Sequence, residues 1–284
     1  MPLALILSSH VAASRVGGLA QALTLAPFGI DPVPVPTVLF GRHPGWGAPG
    51  GAAVADAVFE DVLKGVEANG LFALADIVIT GYFASAGQVA VACAAIDRVR
   101  AANPGVIVLV DPIMGDVRPG LYVKPEVAEV VARDLVPRAD WLTPNAWELA
   151  RLSGLPVGSP AEAVAAARTL GKPVLVTSVA CGAGRIGLVL AAPTQSILMS
   201  HAELAHVPHG TGDLVTAVFA AGLIKAGDPL AAAERSARAA AEAVQAAAEW
   251  DAPELPLVAL GERLAHPRAE VRVERLDGAG LNAQ

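Results

Sequence analysis

The chain has 284 residues, enough for one large α/β domain or two small ones, and 54% are hydrophobic against 17% charged, which excludes a disordered polypeptide. The formal charge of −7, with its basic residues scattered, argues against a nucleic-acid partner. Cys93 and Cys181 stand far apart without zinc or Cys-x-x-Cys spacing, so both read as core residues.

The start, MPLALILSSH, has no basic segment ahead of its short apolar run and reads as a first strand, not an export signal. Apolar or β-branched runs recur at 3–8, 33–38, 76–80, 106–110, 141–143 and 173–178. Segments of helical period lie between them at 18–26, 52–69, 85–101, 125–136 and 160–170. This alternation predicts an α/β fold, a mainly parallel central sheet with helices on both faces. Beyond residue 178 the pattern changes: GRIGLVL and TQSILMS read as hairpin strands, a helix opens at Thr211, and an Ala-rich helix follows over 231–250. Its charges at helical spacing exclude a membrane span. EVRVERL reads as a late edge strand. With no Pro-, Gly- or Ser-rich linker and no repeat, one domain is expected over 1–284, with 277–284 as a loose tail, in a cytoplasmic protein with no membrane partner.

GAGRIG, residues 182–187, satisfies G-x-G-x-x-G, but LVLAAPTQ after it is strand and turn where a dinucleotide site needs a helix. The glycines are assigned to a turn. No P-loop and no G-x-S-x-G elbow occurs. HGTGD, residues 209–213, leads straight into an apolar helix. A glycine-flanked helix start leaves amides unpaired at the positive end of the dipole, which makes an anion site. Asp213 at that mouth either takes a proton from an alcohol or, with Thr211, merely caps the helix, and the motif by itself leaves both open. VDPIMGD sets Asp111 and Asp116 after one predicted strand, LTPNAWE sets Thr143, Asn145 and Glu148 after another, and LVTSV ends a third at Thr177 and Ser178. Strand C-termini of a parallel sheet share the edge where ligands bind, and oxygen-bearing side chains gathered there suit Mg²⁺ held through water and triphosphate.

Taken together, GTGD, DPIMGD and TPNAWE resemble the ribokinase-like kinases. SSHVAASRVGG, VPTVLFGRHPGW and TGYFASAGQ narrow the resemblance to the pyridoxal kinase family, in order from about residue 5 to 226. The resemblance implies a ribokinase-like three-layer sandwich, commonly a homodimer, that phosphorylates the hydroxymethyl group of a B6 vitamer. ATP would be the co-substrate, with Mg²⁺ and K⁺ or another monovalent cation. Residue by residue it makes Asp213 the base, Gly210, Thr211 and Gly212 the anion hole, and Ser9, Thr37 and Tyr82 the vitamer pocket. Asp111, Glu148, Thr177, Ser178 and Thr211 become nucleotide-site residues, and Asp116, Thr143 and Glu148 the cation site. Gly18 and the pair Gly41 and Arg42 depart from the family pattern near the vitamer pocket. His10 and His43 are expected to pack or line the pocket, and the Gly- and Pro-rich segment 117–126 is either a flap over ATP or a surface loop. A hydroxymethylpyrimidine kinase of the same fold, or a protein that binds pyridoxal phosphate or a nucleotide without chemistry, is the alternative.

Overall fold

The computed structural model describes residues 1–204 and 206–276; the expected loose tail, 277–284, lies outside the described residues. In chain order the elements are β1 (Leu3–Val11), α1 (Gly17–Leu25), β2 (Asp31–Phe40), β3 (Gly51–Ala53), α2 (Asp56–Ala68), α3 (Leu71–Leu74), β4 (Ile77–Thr80), α4 (Ala86–Ala102) and β5 (Ile107–Val110). A small ribbon, β6 (Gly115–Asp116) and β7 (Gly120–Leu121), precedes α5 (Pro125–Val130), β8 (Trp141–Leu142), α6 (Ala146–Ser153) and α7 (Pro160–Thr169). Then come β9 (Val174–Ala180), β10 (Arg185–Ala192), β11 (Gln195–Ala202), α8 (Thr211–Ala226), α9 (Pro229–Glu249) and β12 (Arg272–Arg275).

The main sheet has 10 strands in the order β12-β11-β10-β9-β8-β5-β4-β1-β2-β3. From β9 through β2 every neighbour is parallel, while β10, β11 and β12 extend one edge as antiparallel strands and β3 closes the other. The first half of GAGRIG forms the turn between β9 and β10, with Gly182, Ala183 and Gly184 all at positive φ, and Arg185, Ile186 and Gly187 open β10, as its strand-like sequel predicts.

Side-chain alternation sorts the core into two faces. Leu5 and Leu7 of β1 and Val78 of β4 pack on one side with Val89 and Ile96 of α4. Ala4 and Ile6, Ile77 and Ile79 point the other way, onto Val215 and Phe219 of α8 and Ala233 and Ala237 of α9. Sandwiched against the sheet, α1 and α9, α8 buries side chains around its whole circumference, which explains its lack of a polar stripe.

Some boundaries move. The helix expected over 52–69 begins only at Asp56, because residues 51–53 pair with the end of β2 and the Val54 amide donates to the Thr37 carbonyl. Pairing against an open sheet edge outweighs the helix preference of two alanines. Helix α6 is absent from the periodicity reading and follows from a capping box: Asn145 Oδ1 accepts from the Glu148 amide at 2.8 Å and Glu148 Oε2 accepts from the Asn145 amide at 3.0 Å. Segment 117–126 holds Gly120–Leu121, the return strand of the β6–β7 ribbon.

Candidate active site

A cleft of about 840 Å³ lies along the C-terminal ends of the parallel strands. The sheet order divides it: Ser9, Val38, Phe40 and Tyr82 line it from the β2–β1–β4 half, and Asp111, Thr143, Thr177 and Ser178 from the β5–β8–β9 half. The start of α8 reaches the cleft between them, since residues 210–213 all line it.

That helix start is built from close backbone approaches. Gly210 is in the left-handed region at φ 93, and a Cβ there would come within 2.2 Å of the Arg15 carbonyl oxygen. No side chain caps the helix. The Thr211 hydroxyl donates instead to the Pro208 carbonyl at 3.3 Å, and Leu214 is the first residue whose amide returns to the helix, at Gly210 O. The amides ahead of it have no intrahelical acceptor and carry the positive end of the dipole. Asp213 turns away from its own helix: Oδ2 accepts from the Gly17 amide at 2.8 Å and Oδ1 from Gln21 Nε2 at 3.5 Å. The capping alternative therefore gives way to a carboxylate held at the cleft floor by α1. Burial lifts its pKa to about 6, partly offset by the Gly17 bond.

Across the cleft, Asp111 Oδ2 accepts from the Thr216 hydroxyl at 3.0 Å, and Thr216 is 2.9 Å from Thr143 Oγ1. Asp111 is raised well above the ordinary carboxylate range by burial and then by the charges of Glu148 and Asp213. Glu148, raised to about 7 chiefly by burial, is committed to the backbone: Oε1 accepts from Met114 at 2.7 Å and Gly115 at 3.3 Å, and Oε2 serves the capping box. It clamps the loop carrying Asp111 and Asp116 onto α6. Ile113 at φ 31 and Ser178 at φ 57 hold unfavourable backbone at the same cleft wall, where strain commonly marks function.

The cation site expected from Asp116, Thr143 and Glu148 does not come together as a cage. Among the described residues no group of three or more His, Cys, Asp or Glu is placed to hold a metal ion. Thr143 is engaged with Thr216, and Asp116 Oδ1 accepts from the Val117 amide at 2.6 Å. Thr37 is likewise withdrawn: fully buried, it does not line the cleft, and its hydroxyl donates to the Tyr82 carbonyl at 2.6 Å, fixing the segment that presents the Tyr82 ring. Ser9 does line the cleft, beside an irregularity in β1 between Ser8 and His10 that shifts the register against β2. His43 lines the cleft stacked on His209 at 4.1 Å, while exposed His10 faces a separate small pocket.

The phosphomethylpyrimidine kinase family model matches residues 64–257. The chain is 32% identical to pyridoxal kinase PdxY of Corynebacterium diphtheriae, over 96% of this chain and 99% of that protein. It is 37% identical to a pyridoxine/pyridoxal/pyridoxamine kinase of Bordetella avium, over 87% of this chain and 86% of the other. The chain belongs to the pyridoxal kinase family. Its fold matches pyridoxal kinase from Leishmania donovani, solved with ADP and pyridoxamine, at a TM-score of 0.90 and 26% identity over 97% of this chain and 100% of that one. The ribokinase-like sandwich expected from the motifs is the observed fold.

For a pyridoxal kinase family member, the departure at Arg42 has a local role: Arg42 Nε donates to the Ala48 carbonyl at 2.8 Å, closing its own loop. The sequence reading missed Thr216 and Gln21. Thr216 had a usable signal, lying three residues after Asp213 on one helix face. Gln21 and the Gly17 amide had none, being 192 and 196 residues from their partner.

Proposed function

We propose that the chain transfers the γ-phosphoryl group of ATP to the hydroxymethyl oxygen of pyridoxal, and also of pyridoxine and pyridoxamine, giving the 5′-phosphates. The observation that carries this reading is Asp213, a buried carboxylate at a bare helix start, with a pKa of about 6. Asp213 takes the alcohol proton as the oxygen forms its bond to the γ-phosphorus; the bond to the β–γ bridging oxygen breaks and ADP leaves. Gly210, Thr211 and Gly212 bring the free amides against the transferred group and offset the charge spreading over it. Ser9 and the Tyr82 ring hold the heterocycle, with Thr37 acting behind Tyr82. Thr177 and Ser178 line the nucleotide half.

Support for a divalent cation comes from Asp111 and Glu148, two carboxylates whose like charges repel inside a buried wall. Such carboxylates suit Mg²⁺ held through water and phosphate oxygens, with Asp116 at the rim. Bound there, the ion would neutralise charge on the β- and γ-phosphates. Thr143, joined to Thr216, steadies Asp111. K⁺ or another monovalent cation beside the phosphates, a single domain, and a cytoplasmic homodimer complete the proposal. Among the described residues no helix is long and apolar enough to cross a membrane.

The match to the phosphomethylpyrimidine kinase model favours a second reading, the same chemistry on hydroxymethylpyrimidine. ADP release measured with each vitamer and with hydroxymethylpyrimidine decides between them. Turnover on the vitamers is expected; turnover confined to the pyrimidine would move the substrate, and binding of ATP without ADP release on any alcohol would overturn the kinase reading.

A further inference from the structure

Glu254 comes from the segment after α9 and belongs to none of the cleft motifs. Its neighbours pin it in place: Leu255 and Leu257 are each 1% exposed and pack with Leu214 and Val218 of α8. Glu254 Oε2 accepts a hydrogen bond from the Arg15 amide at 3.0 Å, across 239 residues of sequence. Its Oε1 is buried without a hydrogen-bond partner among the described residues.

Arg15 sits in the turn between β1 and α1. On one side this turn is tied to the end of β2, through Ala12 N to Phe40 O at 2.8 Å and Ala13 N to Gly41 O at 3.0 Å. On the other side Glu254 is its anchor. The Arg15 carbonyl lies against Gly210 at the anion turn, and two residues further on the Gly17 amide holds Asp213. A displacement of the Arg15 peptide would be felt at both places.

We propose that Glu254 is a positioning residue for Asp213: by holding the Arg15 amide it fixes the turn whose Gly17 amide aims the carboxylate and whose Arg15 carbonyl seats Gly210. The inference rests on the reading of Asp213 as the base. A charged acceptor holds an amide more tightly than a neutral one, and small displacements of a reacting group are costly. Asp111 and Tyr122 are the groups across the cleft that feel the Asp213 charge, while the Glu254 charge reaches His43, which is stacked on His209.

The test compares the full chain with Glu254→Met, which keeps length and packing but lacks a strong acceptor, and Glu254→Gln, which can still accept from Arg15. In Glu254→Met, kcat on pyridoxal should fall by about 10- to 100-fold with KM for ATP little changed, in line with the cost of misplacing a reactive group. The acid limb of its kcat–pH profile should move away from about 6. Glu254→Gln should regain most of kcat and the wild-type limb. Exchange of the Gly17 amide with solvent, which needs no substrate, should quicken in Glu254→Met and stay slow in Glu254→Gln. Failure of the wild type to phosphorylate any alcohol would sink the base assignment but leave the exchange result standing. Wild-type kcat, limb and exchange in Glu254→Met, or a Glu254→Gln as impaired as Glu254→Met, would overturn the proposal; should Glu254→Met melt below the assay temperature, turnover and Gly17 exchange of all three proteins read below its Tm decide it by the same criteria.

Discussion

The Gly17 amide donates to Asp213 Oδ2 at 2.8 Å, joining the start of α1 to the start of α8. Two helix N-termini therefore meet at one carboxylate. Gly17 is itself in the left-handed region at φ 59, and a Cβ on it would fall 2.1 Å from Ser9 Oγ, so the residue that aims the base also packs against the proposed vitamer pocket.

This arrangement sets a pH dependence. The Asp213 carboxyl is raised from 3.8 to about 6, and a base works only when ionised. Turnover should be constant above neutrality and fall tenfold per pH unit below about 6. A kcat–pH profile measured at saturating ATP checks it, and an acid limb near 4 would show that burial does not govern this group.

The buried wall carries the opposite linkage from an ordinary salt bridge. Glu148 is raised from 4.5 to about 7 and Asp111 is raised with it, so the folded chain binds more protons than the unfolded chain between those values. Stability on this account declines as pH rises through that window. Asp111→Asn keeps an acceptor for Thr216 and removes the charge. Its Tm should exceed that of the wild type by more at pH 8 than at pH 5, while activity falls. Equal shifts at both pH values in thermal melts would contradict the cost assigned to the cluster.

Thr216→Val is nearly isosteric and deletes the hydroxyl linking Asp111 to Thr143. The loss should cost about 1–3 kcal/mol, the penalty of leaving a buried acceptor unpaired. Urea unfolding measures that. Kinetics should show KM for ATP rising more than kcat falls, and a change confined to kcat would place Thr216 with the proton transfer instead.

The glycines of the anion turn are not equivalent. At Gly210 a methyl group would collide with the Arg15 carbonyl and force a non-glycine residue to φ 93, whereas at Gly212 nothing lies within 4 Å of an added Cβ. Gly210→Ala should lose at least about 2 kcal/mol of stability together with activity. Gly212→Ala should melt like the wild type, and any activity it loses would come from obstructing the phosphoryl group. Calorimetry on both variants distinguishes these outcomes; a lowered Tm in Gly212→Ala would argue against the open space described there.

Much of the fold could be read from periodicity because buried parallel strands are continuous apolar runs: the predicted runs at 3–8, 33–38, 76–80, 106–110, 141–143 and 173–178 coincide with β1, β2, β4, β5, β8 and β9. The late hairpin, α8, α9 and edge strand β12 were equally visible. What escaped was tertiary in origin. Residues 51–53 became a strand because an edge was available, and α6 was hidden because its signal is a four-residue capping box followed by a short helix. In the site, residues at strand ends were legible since topology delivers them to one edge. Thr37 showed the limit: the strand brought it to the right end, but alternation buried its side chain behind Tyr82. The partners of Asp213 and Arg15 belong to distant segments, and no local pattern encodes such contacts.

The most direct test of the central claim is pyridoxal 5′-phosphate formation from pyridoxal and Mg²⁺-ATP by the wild type and by Asp213→Asn, with ADP binding measured on both. Turnover by the wild type, a loss of about 10²-fold or more in the variant as expected for removal of a general base, and unchanged ADP affinity are the expected results. Near-normal product formation by Asp213→Asn would contradict it and return the HGTGD segment to a purely structural role.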